Sequence, residues 1–413
     1  MPIRSLLLAL VLVSTAGCAT YQGKVFQARQ LLQAGNPTQA AEMLKPLALE
    51  EGKDQLVYLF DYATALQESG QLKESNDAFL LADKLTEWKD YHSISKQATS
   101  LLFAEEMTQY KGDDYEKVLI NAMLALNFLE LKDYDSALVE TRRINEKIDY
   151  FRREGKKSYS RSVFAVYLGA LIWEHNRDWD DAYIAFSDAY KIDPTIPYLK
   201  EDLVLAARRA HRSDAAKKWQ TEFGVSPPQP KNNYGELVLI YLQGWGPRKY
   251  PRPDSPRFPY LRPVYSYTQQ AKLLAKPTNN NGKGAYEEHS QVIYDIEHVA
   301  IRTLEDDYAA LVAKRMAGIV AKEVAAHQLR QNDQALGDIA AIIMHASDRA
   351  DLRQWSTLPQ TFQVAKIKLP AGKYSVEVQG LGTRQKPTGE AMAPTEVSIL
   401  PKRKAFVLWR SFR

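Results

Sequence analysis

The chain has 413 residues, enough for two or three domains with sizeable hydrophobic cores. Hydrophobic residues make up 45% and charged residues 25%, which are ordinary values for a globular protein. Its 54 basic and 50 acidic residues leave a formal net charge of +4, which gives no electrostatic reason to expect a nucleic-acid partner.

The first 17 residues are predicted to be a signal peptide. Arg4 supplies a positive charge, residues 6–13 are an unbroken apolar run, and four small residues lead to Cys18. The apolar run is too short to span a bilayer as a mature helix, which needs about 20 such residues. We therefore expect cleavage before Cys18 and a short tether over residues 18–24.

Cys18 is the only cysteine, so a disulfide within one chain is impossible. Its place after small residues resembles a bacterial lipobox, although Thr15 stands where leucine is commoner. The resemblance implies lipidation of Cys18 and a membrane anchor of several acyl chains. Ala19 follows the cysteine, and in the Gram-negative sorting pattern that this resembles, such a residue points to the outer membrane, facing the periplasm. The alternative is an ordinary signal peptide that happens to contain cysteine.

Residues 25–224 are predicted to be helical, because proline and glycine are sparse and apolar residues recur at helical spacing. Small residues recur where two antiparallel helices would touch, with a larger residue one turn later. The candidate packing positions are Ala63, Phe79, Ala82, Ala125, Ala137, Gly169, Ala182, Phe186, Ala189 and Pro194.

This spacing resembles the tetratricopeptide repeat (TPR), in which stacked helix pairs form a solenoid with a groove for protein partners. The alternative is an irregular helical bundle with the same periodicity. Residues 225–233, rich in proline and polar side chains, are predicted to be a stiff linker after the repeats.

Residues 234–413 follow a different pattern. The apolar, β-branched run 236–242 predicts a buried strand, and 264–274 is a candidate for a second one. A long helical pattern at 293–330 and a shorter one at 336–346 precede further alternating runs. We predict a smaller α/β (α+β) domain with a mixed or antiparallel sheet, whose last strands cover 363–369, 373–378, 397–399 and 405–409.

Residues 247–263 contain six prolines and five basic residues, which predicts an irregular, basic loop. Its candidate partner-binding residues are Tyr250, Arg252, Arg257 and Tyr260. The composition suits contact with an anionic glycan, a peptidoglycan peptide or lipid headgroups. The alternative is a solvated connector whose tyrosines pack on their own domain.

The polar cluster 348–355 is the other candidate for recognition. Arg353 could make fork-shaped hydrogen bonds and Trp355 could be a buried anchor, either for a partner or between domains. The alternative is a structural corner, in which arginine–aspartate pairs and Trp355 fix helix to sheet.

We find no catalytic motif and predict no catalytic residues, no metal site and no enzyme activity. No histidine pair has the spacing of a zinc-binding HExxH helix, and the chain has no P-loop or dinucleotide fingerprint. The acidic turns at 133–135 and 178–181 could suggest calcium, but their place between paired helices favours N-capping. Apart from the covalent lipid, no cofactor is expected.

Several segments carry a resemblance to a family of bacterial TPR envelope lipoproteins without an assigned activity. They are 235–241 with Gly244 and Pro247, 295–297, 350–359, 363–365 and 369–372. The resemblance implies an envelope location and a genomic association with penicillin-binding-protein activator lipoproteins. It supplies no catalytic residues.

These observations favour a membrane-anchored scaffold or adaptor that binds protein partners in the cell envelope, with a link to regulation of peptidoglycan synthesis and contact with peptidoglycan. One alternative is a cell-wall hydrolase or transferase with a site near Asp295, Glu297, Asp348 and Asp351. Another is a subunit of a secretion or surface-polymer export complex, which would differ from the scaffold only in its partner.

Overall fold

The computed structural model describes residues 21–93, 109–153, 162–227, 231–278, 284–335, 338 and 349–413. The described part of the first half holds ten α-helices. They are α1 (Tyr21–Gln33), α2 (Pro37–Leu49), α3 (Gln55–Glu68), α4 (Leu72–Ser93), α5 (Asp114–Glu130), α6 (Tyr134–Arg153), α7 (Val163–Asn176), α8 (Trp179–Ile192), α9 (Leu199–Arg209) and α10 (Ser213–Phe223).

These helices form a TPR-like stack, in which each helix packs chiefly against the helices before and after it in the chain. Short turns reverse the chain between helices: Gly35 after α1 and Gly70 after α3 have φ of 77° and 76°, a conformation that favours glycine. At the start of α6, the Asp133 carboxylate accepts a hydrogen bond from the Ser136 backbone N–H at 3.1 Å. Asp178, before α8, makes no such cap.

The small residues lie where helices touch, as the repeat pattern predicts. Gly169 on α7 faces Thr141 on α6, and a Cβ added to it would lie 3.2 Å from the threonine Cβ. The other predicted positions that are fully buried are Ala63, Phe79, Ala82, Ala125, Ala137, Ala182, Phe186 and Ala189. Pro194 follows the end of α8 at Ile192, where the repeat pattern places a proline that ends the helix, but it is exposed and does not pack in the repeat core.

The second half contains ten strands and one long helix among its described residues. They are β1 (Tyr234–Gln243), β2 (Arg248–Pro251), β3 (Pro259–Arg262), β4 (Gln270–Pro277), β5 (Tyr286–His289), β6 (Gln291–Asp295), α11 (Ile296–Asn332), β7 (Thr361–Pro370), β8 (Gly372–Leu381), β9 (Pro387–Ile399) and β10 (Lys404–Arg410).

The strands form two four-stranded sheets and one hairpin. The mixed sheet has the order β10-β1-β7-β6, with β1 and β10 parallel and the other pairs antiparallel. The antiparallel sheet has the order β5-β4-β8-β9, and β2 pairs with β3 alone. The predicted fold class, a helical stack followed by an α+β half with mixed and antiparallel sheets, is confirmed.

Residues 237–242 of β1 are all apolar because both faces of the mixed sheet are covered there. Leu237, Leu239 and Tyr241 pack in one core with the antiparallel sheet. The alternating side chains, Val238, Ile240 and Leu242, belong to the core that contains the helical stack. The mixed sheet is therefore the middle layer between the helices and the second sheet.

Two predicted boundaries need correction. Helix α1 begins at Tyr21, so residues 21–24 belong to the folded body and are not tether. The strand predicted over 264–274 is β4, which begins later, at Gln270, and runs to Pro277. The leader, Cys18, most of the linker's prolines and, apart from residue 338, the predicted helix 336–346 lie outside the described residues.

The proline-rich stretch 247–263 is also corrected: it is a β-hairpin, not an irregular loop. Pro251 ends β2 and pairs with Pro259, which begins β3. Proline fits here because the hairpin has only two strands, and each proline lies at a strand end where no ladder continues. No helix among the described residues combines the length and apolar character needed to cross a membrane.

Candidate binding surface around the β2–β3 hairpin

Residues 351–357 run across the helical stack and hold it to the sheets. The Trp355 ring stacks on Phe60 of α3, with 4.6 Å between ring centroids, and leans on Phe79 of α4. Its indole N–H donates to the hydroxyls of Thr64 and Thr357, each at 3.1 Å. Trp355 is 2% exposed, so it fills a site between helices α3 and α4.

Asp61, on α3, is the polar centre of this contact. Its carboxylate accepts the Thr357 backbone N–H at 3.0 Å and the hydroxyls of Thr357 and Ser356 at 2.8 and 3.1 Å. The Tyr21 hydroxyl on α1 donates to it as well. Burial raises the pKa of Asp61 to about 6, and these donors oppose that rise.

Glu116, on α5, fixes the same segment from another side. Its carboxylate accepts the Trp355 backbone N–H at 2.6 Å and the Tyr110 hydroxyl at 2.6 Å. Burial, with Asp113 adding repulsion, raises its pKa to about 7, although Lys249 opposes the rise. Because breaking a buried charged contact costs far more than an exposed one, this cluster resists separation of the two halves.

Arg353 and Trp355, predicted as partner-binding residues, are therefore corrected: both bind this chain's own helices. Arg353 donates to Asp351 at 2.6 Å and to Asp54 at 2.9 Å, and it is 3% exposed. Burial of this kind leaves neither side chain at the surface that a separate protein would reach. The structure therefore contains the alternative, a structural corner formed by arginine–aspartate pairs and a buried tryptophan.

A second polar contact joins the helices to the mixed sheet. Lys404 on β10 pairs with Glu174 of α7 at 2.9 Å and with Glu236 of β1. Lys366 on β7 pairs with Asp202 of α9. Burial alone would raise the pKa of Glu236, but the two lysines hold it well below its usual range. These pairs keep the charges on the helical face of the sheet compensated.

The hairpin β2–β3 remains at the surface and carries the other predicted binding residues. Tyr250 is 39% exposed, and its ring is tilted by 42° against that of Tyr260, with ring centroids 6.2 Å apart. Arg252 pairs with Asp254 at 3.1 Å and lies over the Tyr308 ring of α11. Arg257 is half-buried and also has an interaction partner. The hairpin therefore packs partly on its own domain and leaves other side chains exposed to solvent.

Two cavities flank this hairpin. One, of about 290 Å³, lies between the hairpin and α11 and is lined by Arg252, Tyr260 and Tyr308 among others. The other, of about 380 Å³, lies between β2, α1 and residues 352–356, with Tyr250 at its edge. The structure thus divides three of the four predicted residues, since Tyr250 lines one cavity while Arg252 and Tyr260 line the other.

The described acidic residues proposed for a hydrolase are each engaged by a partner within the fold. Asp295 caps α11 by accepting the His298 N–H at 2.8 Å, and Glu297 accepts from Val264 and Gln360. Asp351 binds Arg353, and Asp348 lies outside the described residues. Within the described part of the chain, no three acidic, histidine or cysteine residues form a metal-binding group.

Sequence reasoning missed Asp61 and Glu116 as the residues that hold the junction. Asp61 is an acid that follows the apolar run Leu56–Phe60 of α3. Glu116 lies in the charged first turn of α5, just before the apolar residues 118–120. A buried acid needs donors from elsewhere in the fold, which was the available signal. The sequence offered no way to identify residues 354–357 as those donors.

Replacing Trp355 with alanine should lower the free energy of unfolding by about 3–5 kcal/mol, because the change empties a site enclosed by two phenylalanines. Denaturant unfolding would measure the loss. Tyr265, which is 68% exposed, is the matched control, and its alanine variant should stay within about 0.5 kcal/mol of the parent. A Trp355→Ala variant as stable as the control would contradict the assigned role.

Comparison with known proteins gives fold likenesses only. No family model matches the chain, and no curated protein matches it. MamA (41-end) from Desulfovibrio magneticus RS-1 is 17% identical, with a TM-score of 0.32 over 49% of this chain and 89% of that one. The TPR-like repeats of a putative kinesin light chain from Podosopora anserina are 14% identical, with a TM-score of 0.33 over 51% and 100%. BtubC from P. vanneervenii is 14% identical, with a TM-score of 0.34 over 52% and 84%. At these values the likeness says nothing about function.

Proposed function

We propose that this chain is a lipid-anchored scaffold of the bacterial cell envelope, held at the outer membrane and facing the periplasm, where it binds protein partners. The observation that carries the proposal is that only two residues separate Cys18 in the sequence from α1, which begins at Tyr21. Tyr21, three residues later, is 9% exposed and donates to Asp61 and to the Gln354 carbonyl. An acylated Cys18 would therefore hold the body directly at the membrane.

The partner surface in this proposal is the hairpin and not the interior of the helical stack. Part of the stack is filled by the chain's own residues 351–357, whereas the hairpin is exposed, aromatic and basic. Tyrosine and arginine are the residue types that contribute most to protein interfaces. The basic residues also complement the carboxylates of peptidoglycan peptides, which supports a link to peptidoglycan synthesis.

The proposal gives the chain no catalytic role. The buried acids Asp61 and Glu116 are each engaged by donors that hold the fold together, as described above. Scaffolding needs shape and a rigid frame, and the shared core of helices and sheet supplies both. A role as a subunit of a secretion or export complex would use the same surface with a different partner.

Removal of the lipid attachment tests the anchor. In the host bacterium, Cys18→Ala should move the protein from the membrane fraction to the soluble periplasmic fraction, because the described helices offer no other span. Fractionation and immunoblotting measure the distribution, and Cys18→Ser should behave in the same way. Persistence of both variants wholly in washed membranes would refute the anchor.

Site-specific crosslinking tests the partner surface. A photoreactive residue in place of Tyr250 should give a discrete crosslinked product in growing cells, which mass spectrometry can identify. Leu400, which is 56% exposed in the second half, is the control position and should give none. Equal products from both positions, or none from position 250, would contradict the assignment of the hairpin.

A further inference from the structure

The larger cavity beside the hairpin contains two arginines that no described residue neutralises directly. It measures about 380 Å³ and lies between α1, β2 and residues 352–356. Its polar lining includes Arg29 and Arg248, and its apolar lining includes Val25, Phe26 and Leu352. This combination of cations and apolar wall is distinct from the polar contacts that join the two halves.

Arg29 is a buried cation without a hydrogen-bonded partner. It is 4% exposed, its guanidinium carbon lies 4.2 Å from the centre of the Trp245 ring, and it makes no hydrogen bond or ion pair with a described residue. Burial, with Arg248 adding repulsion, lowers its pKa to about 9. A buried charge normally has an opposite charge in contact, so these donors stand free toward the cavity.

The neighbouring charges show how unusual this is. Lys249 also lines the cavity, but its ammonium group pairs with Asp113 at 2.9 Å. Asp61 attracts Arg29 at longer range, but its oxygens accept from Tyr21, Ser356 and Thr357. Arg248 is half-buried and, like Arg29, has no hydrogen bond or ion pair within the described chain. Two guanidinium groups therefore share one cavity without a carboxylate between them.

We propose that Arg29 and Arg248 bind a phosphate group, presented by an anionic phospholipid. Guanidinium groups match phosphate oxygens through paired N–H donors, which suits two arginines at one cavity. The exposed Phe26, at 48%, and Leu352 would contact the apolar part of the same molecule. The lipid source rests on the proposed anchor: with Cys18 acylated, three residues of about 3.5 Å each keep Tyr21 within about 10 Å of the membrane.

Calorimetric titration of the full chain carrying Cys18→Ala, which has no acyl group, tests the site without the anchor. The probes are dihexanoyl phosphatidylglycerol and inorganic phosphate. We expect saturable binding of the lipid, weakened about tenfold or more by Arg29→Gln and by Arg248→Gln. Arg262 is the matched control: it pairs with Arg248 across the hairpin and is exposed, and Arg262→Gln should change the affinity less than about twofold.

The outcomes separate the site from its source. Binding of inorganic phosphate as tight as that of the lipid, with the same two arginines required, would uphold the phosphate site and assign it a soluble ligand. No saturable binding of either probe would overturn the site, as would an equal loss from Arg262→Gln. Because Arg29→Gln alters a buried contact, circular dichroism checks that this variant is folded. If the Arg29→Gln variant does not fold, the affinity of the half-buried Arg248→Gln variant decides the outcome. If the Cys18→Ala variant stays in the membrane fraction, only the proposed lipid anchor is refuted, and the phosphate site is not.

Discussion

The insertion of residues 351–357 into the helical stack is the contact on which the rest of the structure depends. Trp355 fills an apolar site beside Phe60 and Phe79. The carboxylates of Asp61 and Glu116 accept hydrogen bonds from the backbone and side-chain groups around it. Apolar burial supplies most of the stabilisation, while the buried acids demand these particular donors and so fix the register. The segment could not slide by one residue without leaving a buried carboxylate unpaired.

This contact explains why the two halves form one body. With residues 351–357 fixed on the helices, β7 begins at Thr361 and brings the mixed sheet against the same helices. The sheet's second face is then free to pack against the antiparallel sheet, and the middle of β1 is apolar on both faces. The hairpin β2–β3 then lies at the protein surface, where Lys249 of β2 forms an ion pair with Asp113. The exposed surface for binding is thus a consequence of how the interior is closed.

Much of the fold could be predicted because it is encoded in local periodicity. Small residues such as Gly169 and Ala182 report close helix contacts, and the unbroken apolar run of β1 reports burial on both faces. The hairpin could not be predicted from proline density alone. Prolines at the ends of its two strands interrupt no hydrogen-bond ladder, so a high proline content is compatible with this pairing.

The candidate site was harder to predict, since its residues meet only through tertiary structure. Trp355 was singled out, but nothing in the sequence chooses between an outside partner and α3 of the same chain. Arg29 resembles any polar residue of an amphipathic helix. Its meaning depends on Trp245 and Arg248, which reach it only after the sheet has packed on the helices. Such information is carried by long-range contacts and not by spacing.

Native-state hydrogen exchange tests most directly the claim that one contact makes the two halves a single cooperative unit. If it does, the slowest-exchanging amides of α3 and α5 and those of β1 and β7 will share one opening free energy, equal to that of global unfolding. They will also respond in parallel to denaturant. Amides of β1 and β7 that open at a distinctly lower free energy, while α3 and α5 stay protected, would contradict the account.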